Sequence, residues 1–195
     1  MTLPQLSPAF AATITWLAEG AKTASTPQDV VQQLCSQLTA AGLAIDRCAA
    51  FVSTLHPNVM ARRFLWNRGQ SVRVDEADYN LRETETFRKS TVPVVMQTGK
   101  AIRLHLADQN CPDEYNIVDE LRAEGFTDYV IHPLDFLNGQ NHAISWSTRK
   151  ASGFSDNDII TLLAVRAPLA RIAEIYALSR TAGNLLDTYV GHRSG

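Results

Sequence analysis

The residues of this chain that could do chemistry are few and scattered. The five histidines, His56, His105, His132, His142 and His192, stand far apart, and no two have the spacing at which one helix presents a pair of metal ligands. The three cysteines, Cys35, Cys48 and Cys111, are odd in number and form neither a disulfide framework nor a zinc pattern. No Gly-x-Gly-x-x-Gly or Gly-x-x-x-x-Gly-Lys loop is present to cradle a phosphate. No Gly-x-Ser-x-Gly elbow is present to raise a nucleophile. Glu83 and Glu85 lie two apart in a charged stretch, which reads as a solvated loop rather than a general acid/base pair. The expectation is a chain with no catalytic residue and no metal site.

Two weaker signals remain. Cys111-Pro112 has the dipeptide form used by some haem-responsive proteins, in which a thiolate ligates iron; Cys111, His105 or His132 are the candidate haem residues. The plainer reading is a cysteine in front of a chain-breaking proline, and no cofactor is required. The second signal is aromatic. Phe64, Trp66, Tyr115, Tyr129 and Trp146 could line an apolar pocket between a sheet and an irregular insert, with Arg103, His105 and His132 as its polar groups. The competing reading places the same aromatics in the core.

The elements that must position these residues follow from capping and periodicity. Ser7-Pro8 and Thr26-Pro27 each pair a capping residue with a proline at the first helical position, so two helices come first. Asp29 sits where a capping box is completed, and Gly42 ends the second helix. Residues 48–55, 59–68 and 71–75 read as three antiparallel strands joined by short turns. Residues 76–124 form a charged, irregular insert containing a short helix at 114–124. Residues 128–136 and 142–148 read as a hairpin around Asn138-Gly139, with Pro133 pointing to an edge position or a bulge. A long helix then starts behind Ser155, with Asp156 and Asp158 in its first turn. Its apolar stripe is Leu162, Val165, Leu169, Ile172 and Tyr176, continued less cleanly to Leu186. The run to Val190 is about 35 residues, roughly 50 Å at about 1.5 Å per residue, which is more than one small domain needs. The stripe is expected to close the sheet and, with Leu186, to supply a connector that pairs with a second copy. Pro168 is expected to kink this helix.

The resulting class is α+β: a central antiparallel sheet with the N- and C-terminal helices on one face and the irregular insert on the other. Composition agrees. An apolar fraction of 45% supports a full core, and a net charge of −2 gives no electrostatic case for nucleic acid. No apolar run is long enough to insert in a membrane, the start lacks the pattern of a signal peptide, and a cytoplasmic location is expected.

The element order, the Asn138-Gly139 hairpin and Gly153-Phe154-Ser155-Asp156 ahead of a long helix resemble a GAF-type sensor domain. The tail from Ser179 to Gly195, with Leu185-Leu186-x-Thr188-Tyr189-Val190-Gly191, is similar to the connector that precedes the catalytic domain in bacterial class III adenylate/guanylate cyclases. Thr54-Leu55-His56-Pro57, Phe64-x-Trp66 and Trp146-Ser147-Thr148-Arg149 add to the resemblance. It implies an N-terminal helix over 1–24, a GAF-like sensor domain over 25–176 and a helical connector over 177–195, with the cyclase domain itself beyond Gly195. The Asn-Lys-Phe-Asp-Glu segment through which some GAF domains take cyclic nucleotide has no counterpart here, and the resemblance implies no particular ligand.

The function expected on these grounds is regulatory: a non-catalytic input and dimerisation domain of a class III cyclase. It would be a homodimer through its last helix and would respond to an unidentified small molecule. Two other readings stay open, a dimerisation module with no ligand and a haem- or metabolite-binding sensor of another signalling protein.

Overall fold

The computed structural model describes residues 7–54 and 59–190, with side chains through residue 183. The turn expected at His56-Pro57, the side chain of Leu186 and the end of the tail lie outside the described residues. Helix α1 (Pro8–Ala18) starts behind Ser7, whose hydroxyl accepts from the Phe10 amide. Helix α2 (Pro27–Ala40) carries the expected capping box, in which Thr26 and Asp29 each accept the other's backbone N–H.

Six strands follow: β1 (Arg47–Ser53), β2 (Ala61–Asn67), β3 (Arg73–Ala77), β4 (Ile102–Leu104), β5 (Asp128–Asp135) and β6 (Asn141–Thr148). They form one antiparallel sheet in the order β3-β2-β1-β6-β5-β4, so the last hairpin docks against the first strand. Between β3 and β5 lies the insert: a 3-10 helix (Tyr79–Glu83), α3 (Glu85–Arg88), α4 (Thr91–Thr98), β4, and α5 (Ile117–Ala123). Residues 92–96, inside the stretch that reads from sequence as irregular, belong to α4. Pro133 fits the sheet because β4 pairs β5 only as far as Ile131, leaving that margin of β5 uncovered at the proline.

Alternation along the strands divides the core in two. Cys48, Ala50, Phe64, Trp66, Val130, Leu134, Ile144 and Trp146 point to the face covered by α1, α2 and the final helix, α6 (Asp156–Val190). Tyr129, Ile131 and Ala143 point to the other face, where they meet Val95, Leu104, Val118, Leu121 and Phe126 of the insert. Each fully buried Leu, Ile or Val on these faces contributes about 1.5–3 kcal/mol. The expected α+β arrangement is therefore observed.

The start of α6 is fixed by a buried carboxylate. Asp128, 0% exposed, accepts from Arg103 Nη2 at 2.7 Å and from the Phe154 amide at 2.9 Å. Arg103 also donates to the Phe154 carbonyl at 2.5 Å. Gly153 has φ +67, and a Cβ there would stand 2.6 Å from the Asp128 carboxylate. Ser155 then caps the helix by accepting from the Asp158 amide, and Asp158 accepts from Ser155 in return.

The expected pairing stripe is used within the domain. Leu162, Val165, Leu169 and Ile172 are all buried against the chain's own sheet and helices, so they cannot face a second copy. Tyr176 packs on the same cluster and donates to the Ala24 carbonyl. Among the described residues, the large apolar side chains that α6 leaves exposed are Ile160, Leu163, Ile175 and Leu178, on a different face of the helix. The helix is unbroken across Pro168.

Candidate functional site

The cavity between the sheet and the insert has a volume of about 640 Å³, within the range of small-molecule sites. Its floor is made by small side chains. Ala49 of β1, Ala61 of β2, Ala77 of β3, and Ser145 and Ser147 of β6 leave space that a larger residue would fill. Trp66, Phe64 and Trp146 of the same strands turn to the opposite face, whereas Phe51 of β1 stays on this one. The roof is Leu81 of the 3-10 helix, Phe87 of α3, Thr91, Val92 and Met96 of α4, and Ile117, Glu120 and Leu121 of α5.

Of the polar groups that line this space, Arg47, Tyr129 and Arg63 rise from the strands of the floor. Arg47, 9% exposed, donates from Nη2 to Glu120 Oε1 at 2.8 Å, with Glu124 at 3.7 Å, so one ion pair ties the floor to α5. Tyr129 shares a hydrogen bond of 2.8 Å with Thr91, linking the floor to α4. Burial pushes the Tyr129 phenol up to about 12 against the opposing hydrogen bonds from Thr91 and Ser145, so the group stays neutral and polar. Arg63 donates to Asp75 from Nε at 3.0 Å and Nη2 at 2.7 Å. Burial disfavours the Asp75 charge, but Arg63, with help from Arg73, holds its carboxyl below the usual range. The site is a mostly apolar slot whose lining includes the guanidiniums of Arg47, Arg62, Arg63 and Arg82, a phenol and two serines. It offers binding and orientation. Among the described residues it contains no cluster of metal-binding side chains.

Most residues singled out from sequence lie elsewhere. Trp66 and Trp146, 3% and 0% exposed, fill the helix-side core, and Phe64 lies with them. Arg103 is committed to the Asp128 clamp. His105 is exposed beside that clamp, 3.8 Å from Asp128. Tyr115 packs against the outer part of the insert cluster. His132 is buried on the helix side, where burial, and then the charge of Arg166, pulls its pKa down to about 4. Cys111 is on the insert side, so the sheet separates it from His132 and the two cannot share one iron. Burial also raises the Cys111 thiol above its ordinary range, which disfavours a thiolate.

Of the aromatics considered, only Tyr129 lines the cavity. Sequence reasoning missed Arg47, Arg63, Ala49, Ser145 and Ser147. A signal for the two serines was present in β6. In Ala143-Ile144-Ser145-Trp146-Ser147 the small residues alternate with large ones, and a face lined by small residues leaves a space.

No family model matches the sequence, and no curated protein does. Solved structures do match. The GAF domain of a two-component sensor histidine kinase from Bacillus halodurans superposes with a TM-score of 0.59 at 14% identity, covering 80% of this chain and 99% of that one. A phycocyanobilin-bound GAF domain from a cyanobacterial phytochrome gives 0.60 at 13% identity, covering 89% and 98%. The GAF domain of a phosphoenolpyruvate-protein phosphotransferase from Coxiella burnetii gives 0.59 at 16% identity, covering 91% and 99%. At these identities the likeness is one of fold. No described helix is long and apolar enough to cross a membrane. The sheet order, the insert over one face, the helices on the other and these superpositions together give this chain the GAF domain fold.

Proposed function

We propose that this chain is a regulatory input domain. A small molecule held between sheet and insert shifts α5, and the shift biases the packing of α6, which pairs with a second copy and acts on an output domain. The observation that carries the reading is the cavity of about 640 Å³ with the buried Arg47 on its floor, joined to α5 by the Glu120 pair. A ligand bearing an acceptor competes with Glu120 for Arg47 and so frees α5 from the floor. The chain leads from α5 through Phe126 to Asp128, and Asp128 holds Phe154, two residues ahead of α6. Coupling follows if the ligand binds the two arrangements of α5 with different affinity. The bilin-bound domain among the fold neighbours supports a ligand role for this fold.

For the output we propose a class III adenylate/guanylate cyclase domain, with residues 177–195 as the connector. The support is the tail, Leu185-Leu186-x-Thr188-Tyr189-Val190-Gly191. The pairing surface is the exposed stripe Ile160, Leu163, Ile175 and Leu178. A dimerisation module with no ligand is the less favoured reading, because the aromatics that would have filled its pocket lie on the other side of the sheet.

The test is thermal melting of the full chain against a panel of nucleotides and metabolites, repeated on Ala49→Trp, which fills the cavity floor. A compound that raises the melting temperature by several degrees in the parent and not in Ala49→Trp supports the reading. Silence across the panel, or shifts that Ala49→Trp leaves intact, refutes it.

A further inference from the structure

A second cavity, of about 570 Å³, lies on the opposite face of the sheet. It opens where α2 begins, at Thr26 and Pro27, and where α6 passes over the ends of β1 and β6. Its wall is largely apolar, with Val31, Val52, Phe64, Leu134, Leu169 and Ile172 facing the space.

Two polar groups in this wall each have a buried atom without a partner among the described residues. His142 is 1% exposed, and its Nδ1 accepts the Ser53 amide at 3.0 Å. Burial holds the ring's pKa down to about 4 against the opposing charge of Glu174, so the ring is neutral and its single proton sits on Nε2. That Nε2–H is buried and has no hydrogen-bond partner among the described residues. Arg62 repeats the pattern: its Nη2 is engaged by Glu76, while its buried Nε has no partner among the described residues. Arg62 and His142 lie on the same face of the sheet, flanking Val52.

The surrounding charges favour an anion over a cation. The Glu174 carboxylate is already engaged, accepting from the Leu137 amide at 2.8 Å and from Arg171 at 2.5 Å. Arg180 stands exposed at the rim. An apolar space whose buried wall groups are donors is complementary to a molecule with an apolar body and an accepting end.

We propose that this cavity is a second ligand site, taking a small apolar carboxylate whose oxygen accepts from His142 Nε2–H while its hydrocarbon body packs on Val52, Leu169 and Ile172. His142, Val52, Leu169 and Ile172 line this cavity and not the sheet–insert pocket. Its position gives it a regulatory consequence. Ile172 and Glu174 are the last fully buried residues of α6 before Leu178, Ser179 and Arg180 turn out to solvent. An occupant therefore touches the helix at the turn where it leaves the domain.

Octanoate is a suitable probe, with octylammonium as the same chain bearing a donating, cationic end. Titration of the full, methyl-labelled chain with octanoate should move the methyl resonances of Val52, Leu169 and Ile172 and the Nε2 proton of His142. Those of Val92, Ile117 and Leu121 in the other pocket should stay in place. Octylammonium should bind at least about tenfold more weakly, a difference of about 1.4 kcal/mol. Ala173→Phe, which fills the cavity, should weaken octanoate by a similar factor, whereas Ala49→Trp should not. Still resonances at Val52, Leu169 and Ile172 under saturating octanoate overturn the proposal. So do shifts confined to the sheet–insert pocket, or equal binding by octylammonium. The mapping is made on the unaltered chain, so it decides the matter even where Ala173→Phe fails to fold.

Discussion

Gly153→Ala is the sharpest test of how α6 is anchored. Two costs apply. The residue has φ +67, where a side chain costs roughly 1–2 kcal/mol. The new Cβ would also stand 2.6 Å from Oδ2 of Asp128, well inside the 3.4 Å at which ordinary contact begins. The carboxylate must move by close to an ångström, and it is 0% exposed, so no solvent replaces what it loses. At stake are its bonds to Arg103 at 2.7 Å and to the Phe154 amide at 2.9 Å. A hydrogen bond to a charged group is worth about 1.5–3 kcal/mol, so loss of one brings the total to about 3–5 kcal/mol. Gly139→Ala is the control: its φ is +80, but nothing stands within 4 Å of the added atom. It should cost only the backbone part, about 1–2 kcal/mol. Urea unfolding followed by the fluorescence of the buried Trp66 and Trp146 measures both, with m held constant. In an Asp128→Ala background the Gly153→Ala cost should fall to that of Gly139→Ala, a coupling of about 2 kcal/mol. Equal costs for the two glycines, within about 0.5 kcal/mol, would refute the clamp as the reason for Gly153.

Three further outcomes follow from the same geometry. His132 and His142 have folded-state pKa values of about 4 against an ordinary 6.5, so the unfolded chain takes up protons that the folded chain refuses. Their contribution is complete above about pH 6.5 and is lost as pH falls towards about 4, on the order of 3 kcal/mol for each. The urea midpoint should drop over that window and drop less in His132→Gln; a midpoint that is flat from pH 7 to pH 5 contradicts it. Leu163→Glu with Leu178→Glu should halve the molar mass seen by light scattering and change stability by no more than about 0.5 kcal/mol. A parent that is purely monomeric at high concentration ends the pairing proposal. Arg47→Met should cost about 1–2 kcal/mol and speed amide exchange across Ile117–Ala123, because α5 loses its tie to the floor. Unchanged exchange there would mean that the Glu120 pair holds nothing in place.

The legible parts of this chain were those written in local chemistry. Ser7-Pro8, Thr26-Pro27-x-Asp29 and Ser155-x-x-Asp158 mark helix starts within a few residues, and each is a cap in the structure. The hairpin at Asn138-Gly139 and the α+β order of elements were equally readable, because turn residues and periodicity act over short spans. The pocket was not readable by looking for chemically distinctive side chains. Arg103 and His132 attracted attention as polar groups near aromatics, yet one holds a helix start and the other is buried in the core. Which face a strand residue joins depends on register across strands. Cys48 opposite Trp66 and Trp146 fixes that the tryptophans and the serines of β6 part company.

The same reasoning changes what α6 can transmit. Periodicity alone gave a single stripe two duties, closing the domain and meeting a partner. Burial assigns the first duty to Leu162, Val165, Leu169 and Ile172 and leaves Ile160, Leu163, Ile175 and Leu178 exposed, open to the pairing proposed above. Successive residues are turned by about 100°, so Leu163 faces well away from Leu162 on the same turn. A helix used on two sides couples them, because a small rotation that improves one contact worsens the other. It is held at Phe154 by Asp128, and at Tyr176 by the Ala24 carbonyl beside the helix-side cavity. Between those points a change in either pocket has one rigid element to act on. Rotation about the helix axis is thus the motion by which α6 would report a signal, and the outer stripe is the surface on which a partner would feel it.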